Sequence, residues 1–159
     1  MERDDLVKSA NETYKNLCEI LDGIKWVYKK DDNNRSVFFT VTGDDIPMNF
    51  LVIVDEKRQL IRITSGLSFD IPQNKIVDAA VVVSYINYKL VDGCFDLNIL
   101  DGKIYFNMTS SYKCSLIGKE LFLYMIRVAG KTVDDFNDKL LLFAKDRISV
   151  PDLIKEIDG

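Results

Sequence analysis

An α+β fold, with elements in the order α-β-β-β-α-β-β-α, is what the hydrophobic pattern of this 159-residue chain predicts. Three observations carry that prediction. Apolar residues recur at helical spacing in the first, middle and last parts of the chain, and strict alternation fills the stretches between. Pairs of Asp, Asn and Gly punctuate the alternating stretches, as antiparallel strands on short connections require. A proline stands where the middle helical pattern begins, a position that tolerates its missing N–H.

The first helix is expected over residues 4–22. Leu6, Ala10, Tyr14, Leu17 and Leu21 form its stripe, Val7 and Cys18 widen it, and Gly23 suits its stop. IKWVYKK is a short strand candidate and holds the only tryptophan, Trp26. The run DDNN reads as a turn, because Asp and Asn bond their own backbone and tolerate left-handed conformations. Val37, Phe39 and Val41 then share one face of a strand over 36–42. Met48, Phe50, Val52 and Val54 alternate along the next strand, and Ile61 and Ile63 mark the inner face of a third.

Pro72 opens a helix over 73–91 with the stripe Ile76, Ala80, Val83 and Leu90. Phe95, Leu97 and Ile99 alternate up a fourth strand, and Ile104, Phe106 and Met108 come down a fifth. Asp101-Gly102 between them predicts a two-residue hairpin turn of the primed type. Leu121, Met125 and Val128 start a last helical pattern that Gly130 interrupts. The expectation there is a bend, or a second helix restarting at Thr132 with Asp135 in a capping-box arrangement. Phe136, Leu140, Phe143 and Ala144 continue that stripe, and Pro151 opens a short terminal helix. No repeat or linker divides the chain, so residues 1–159 are read as one domain.

Composition removes several classes of function. A hydrophobic fraction of 47% beside 29% charged residues suits a packed core and argues against wholesale disorder. A net charge of −4 argues against nucleic acid as the partner, since phosphate neutralisation needs clustered Lys and Arg. The acidic, amphipathic N-terminus is not expected to act as a secretory signal. The apolar run AAVVVSYI is far short of the ~20 residues of a spanning helix, so no membrane association is expected and a cytoplasmic location is. Three scattered cysteines, Cys18, Cys94 and Cys114, fit free thiols in a reducing compartment. With no histidine and no CxxC pair, neither a metal centre nor a cofactor is expected.

The segments that resemble chemical motifs have plainer readings. Gly130-Lys131-Thr132 lacks the upstream glycine of a phosphate-binding loop, since Met125 stands there, and the flanking residues read as helix. The acidic pairs Asp4-Asp5, Asp31-Asp32, Asp44-Asp45 and Asp134-Asp135 fall at helix starts and turns, where Asp bonds backbone N–H groups. Without histidine the commonest general base is missing, and no motif supplies another, so the chain is read as a non-enzyme.

Two features point to binding. The second face of the first three alternating strands carries Phe38, Leu51, Ile53 and Leu60, whereas a solvated face is usually polar. That face is expected to be covered, by a helix of this chain or by another chain, and its apolar residues are candidate partner or dimer contacts. Asn87 is the other candidate. It lies on the stripe of the second helix, where a buried amide either ties the helix to a neighbouring backbone or fixes the register of a partner helix.

The stretch IPQNKIVDAAVVVSYINYKLVDGCFDLNILDGKIYFNM resembles the YbjN-like domain, which shares the fold of type III secretion chaperones. The likeness rests on the proline before the middle helix, Ile86-Asn87 late in it, Asp92, Gly93, Phe95 and Leu97 leading into a strand, and the DG hairpin. FLVIVDEKRQLIRIT resembles the preceding hairpin of that family, and the element order agrees over residues 4–147. The resemblance implies an antiparallel five-stranded sheet packed with helices, a homodimer, and a role in protein binding or regulation. It supplies no functional motif to transfer. The leading expectation is therefore a chaperone-like or regulatory protein-binding domain. The alternatives are a subunit of a larger assembly, or a small-molecule sensor or enzyme with an unrecognised pocket. For the sensor or enzyme, Asp96, Asn98, Tyr105 and Asn107 are the only polar–aromatic cluster that strand geometry suggests.

Overall fold

The structure is a computed structural model that describes residues 3–159. It contains α1 (Arg3–Gly23), β1 (Lys29–Asp31), β2 (Ser36–Thr42), β3 (Pro47–Asp55) and β4 (Leu60–Asp70). A 3₁₀ turn (Gln73–Lys75) leads into α2 (Ile76–Lys89), followed by β5 (Cys94–Leu97), β6 (Lys103–Ser111), α3 (Lys119–Ala144) and α4 (Val150–Asp158). The class is α+β, as the pattern predicts. The sheet has six strands rather than five, all antiparallel, in the order β1-β2-β3-β4-β6-β5.

Alternation places the core. Val37, Val52, Ile63 and Met108 face one another in register across four strands, and Phe95 faces Phe106. All are buried. Against this face pack Ala10, Leu17 and Leu21 of α1 and Phe122, Met125, Ala129 and Val133 of α3. The sixth strand is the end of IKWVYKK: only Lys29–Asp31 pairs with β2, and residues 24–28 before it are irregular.

The first hairpins and the β5–β6 hairpin stand where the sequence predicts, but the last turn does not have the predicted length. Leu97 pairs with Ile104, and four residues, 99–102, form the loop. The Gly102 N–H donates to the Asn98 carbonyl at 2.8 Å, and only Gly102 of the DG pair has positive φ. Ile99 therefore lies in the loop, exposed, rather than in the strand.

Helices α2 and α3 each depart from the sequence expectation. α3 runs unbroken through Gly130, and Thr132 is a buried mid-helix residue rather than a cap. The continuous apolar set Phe122, Ile126, Ala129, Val133, Phe136, Leu140 and Phe143 explains this: packing along its whole length outweighs the cost of one helical glycine, about 1 kcal/mol. Leu121 is exposed, whereas Met125, Leu140, Phe143 and Ala144 of the expected stripe are buried, and Phe122, Ile126, Ala129 and Val133 widen it. In α2 the buried residues are Ala79, Val82, Val83 and Ile86, and Ala80 faces outward. A helix apolar nearly all round has no single period to read.

The terminal segment docks. Ser149 caps α4 by accepting the Asp152 N–H, Leu153 is fully buried, and Asp158 accepts hydrogen bonds from Lys89 Nζ at 2.6 Å and from the Tyr85 hydroxyl. No helix among the described residues is long and apolar enough to cross a membrane.

Candidate interaction surfaces

Strand parity puts Phe38, Leu51, Ile53 and Leu60 on the face opposite the core. Phe38 stands across from Leu51, and Ile53 lies diagonal to Leu60, so the four form one patch. No helix of the described chain covers them. Phe38 is 40% exposed, and the other three are half-buried among Arg62, Thr64 and Thr109 on the same face. Of the two covers expected for this face, a helix of the same chain is absent among the described residues.

A depression of about 260 Å³ borders the patch between Ile53, Asp55, Arg58, Leu60, Arg62 and Thr109. Arg58 does not face a partner freely there: its backbone N–H and its guanidinium each bond the Asp55 carboxylate at 2.9 Å. The backbone N–H, then the guanidinium, hold the Asp55 carboxyl below its ordinary range. A carboxyl with a lowered native pKa stabilises the fold fully above its unfolded pKa, near about 4, and loses that contribution as pH falls through the native value. The stability gap between the native chain and Asp55→Asn is therefore expected to stay constant above about pH 5 and to shrink below it. Paired urea titrations down to about pH 2 check this. A gap that stays constant throughout would show that the pair does not differ between the folded and unfolded states.

Asn87 makes its contacts within the chain. Its Nδ2 donates to the Phe95 carbonyl at 2.9 Å, and its Oδ1 accepts the Phe95 N–H at 2.8 Å. The amide thus pairs with the edge of β5 as a further strand residue would.

Three of the four polar residues named for a pocket do meet. Asn107 Nδ2 donates to Asp96 at 2.6 Å, and Tyr105 stands opposite Asp96. They lie on open sheet, and Asn98 instead closes the hairpin loop by accepting the Leu100 N–H. Cys94 lies beside Asp96, where burial and then the carboxylate push its thiol pKa up, the opposite of what a nucleophile needs. Among the described residues no group of three or more acidic or cysteine side chains could hold a metal.

The surface that sequence reasoning missed is the outer side of α2. Val77 is 78% exposed, Val81 51% and Tyr88 80%, and Ala80 and Ser84 fall between them on one stripe. Ile154 of α4 borders the trough they line. The signal was present in AAVVVSYI, because a helix apolar on two sides needs two partners.

No family model matches the chain, and no curated protein matches its sequence. Among solved structures it is similar to a crystal structure of YbjN from E. coli, described as a candidate transcription regulator. The TM-score is 0.56 at 14% identity, over 76% of this chain and 85% of the other. The fold is YbjN-like.

Proposed function

We propose that this chain is a non-enzymatic protein-binding domain, chaperone-like or regulatory, that works as a homodimer. The observation that carries the proposal is the exposed apolar stripe of α2. Valines on a solvated helix face are unusual, and a contiguous apolar patch on a folded chain marks an interaction site. Ala80 and Ser84 are small enough for a second helix to approach closely between Val77, Val81 and Tyr88. A second copy supplies that helix by two-fold symmetry, which requires a self-complementary patch.

The open sheet face then remains for another partner, with Phe38, Leu51, Ile53 and Leu60 as its contacts. A net charge of −4 favours a protein over a nucleic acid there. The regulator description of YbjN agrees with binding rather than catalysis.

Size-exclusion chromatography with light scattering over a concentration series tests the reading. The native chain is expected at twice its own mass. Val77→Arg with Val81→Arg is expected to weaken the dimer at least about a hundredfold, because like charges meet their own copies across the axis. Both residues are exposed, so the monomer that results should keep its circular dichroism and melting temperature. Phe38→Asp should leave the mass unchanged. A native chain that is monomeric throughout, or a doubly charged variant that stays dimeric, would sink the proposal.

A further inference from the structure

The irregular segment between α1 and β1 helps form a cleft. Ile24 and Trp26 line it from one side, Val41 and Met48 from the sheet, and Leu123 and Ile126 from α3. Its volume is about 520 Å³, within the range of metabolite sites. The Trp26 ring is held edge-on against Phe39, with 5.7 Å between centroids.

Gly130 also lines this cleft. A methyl group built there would meet nothing within 4 Å, so no neighbour requires a glycine at this point of a 26-residue helix. A helical glycine costs stability relative to alanine. What it provides here is open volume.

Arg127, Lys131, Asp44 and Asp134 make up the charged part of the lining. Lys131 Nζ lies 2.9 Å from both oxygens of Asp135, and Asp134 accepts the Asp44 N–H at 3.1 Å. Arg127 lines the cleft, and among the described residues no carboxylate pairs with it. A guanidinium over an apolar floor suits a ligand with a carboxylate at one end and a hydrocarbon or aromatic body at the other.

We propose that this cleft binds a small amphipathic carboxylate, with its apolar body against Trp26, Met48, Leu123 and Ile126 and its carboxylate on Arg127. The site is separate from the α2 stripe and the open sheet face, so it stands or falls independently of dimerisation.

Trp26 is the only tryptophan, so its emission reports the cleft directly. The probes are octanoate, 1-octanol and octylammonium, titrated into the full chain. Octanoate is expected to change the emission saturably and to bind at least about tenfold more tightly than the other two. Arg127→Gln should bring octanoate down to the affinity of octanol. Gly130→Met should abolish binding by filling the cleft, whereas Gly130→Ala should raise the melting temperature and keep binding. The Arg127 position is exposed, so that variant carries the test even where the larger side chain at 130 disturbs α3. Absence of a saturable response to octanoate, equal binding of octylammonium, or unchanged octanoate affinity in Arg127→Gln would overturn the proposal.

Discussion

Gly102→Ala is expected to be among the most damaging single changes in this chain, at about 3 to 4 kcal/mol. Gly102 has φ of +76°, a left-handed conformation that costs an ordinary residue about 1–2 kcal/mol. It also lies against main chain. A Cβ there would sit 2.1 Å from the Ile71 carbonyl oxygen, and the Gly102 carbonyl accepts the Ile71 N–H at 2.8 Å. Main chain cannot swing aside as a side-chain tip can, so overpacking adds about 1–3 kcal/mol. Ile71 is buried and joins β4 to the turn before α2, so the loop of one hairpin sets where the next helix starts. The melting temperature should fall by roughly 6 to 15 °C. Gly102→Asn separates the two causes, because asparagine tolerates positive φ but still carries a Cβ. If Asn restores full stability, the contact with Ile71 is not the reason. Gly23→Ala, where a Cβ would meet nothing within 4 Å, should change little.

Lys75→Met is expected to cost about 2 to 3 kcal/mol, a large effect for a lysine. Lys75 is nearly buried. Its ammonium donates to the Phe143 carbonyl, lies 2.7 Å from Asp146 Oδ1, and sits 4.2 Å from the centre of the Phe143 ring. The last turn of α3 has no basic residue of its own. Lys75 therefore supplies, from a position 68 residues earlier than Phe143, the positive charge that a helix C-terminus favours. Methionine keeps the apolar stem but leaves that carbonyl without its charged donor, and hydrogen bonds to charged groups are worth about 1.5–3 kcal/mol. Asp146 is 80% exposed, so Asp146→Asn should cost less than about 1 kcal/mol. Chemical unfolding of both variants checks this. Equal losses would place the energy in the ion pair rather than in the helix end.

The strands were legible because each carries an unbroken apolar parity bounded by turn residues, and the row Val37, Val52, Ile63 and Met108 repeats it across four of them. Helix faces were less legible, for a different reason in each case. α2 has apolar residues on both sides, so spacing alone could not choose between Ala79 and Ala80. In α3, glycine at 130 reads locally as a stop, and only the long stripe packed on the sheet overrides it. The parity of Phe38, Leu51, Ile53 and Leu60 could be read from alternation. Their accessibility could not, because it depends on which face the helices choose. The cleft was out of reach altogether: Trp26, Met48 and Arg127 come from an irregular segment, a strand and a helix far apart in the chain, and no local pattern joins them. Lys75 likewise reads as a solvated residue at a helix start until the end of α3 is seen beside it.

The sheet ends in short strands on both sides. β1 has three residues, two of them exposed lysines, and β5 has four, with Asn87 already bonded along it. Unpaired edges invite another chain to add a strand, and brevity and lysine are the usual safeguards against it. Growth of the sheet sideways, whether as aggregation or as capture of an extended peptide by backbone pairing, is therefore disfavoured at either border. An extended segment held by this protein would have to lie across the face of Phe38 and Leu51, gripped by its side chains and not by its amides.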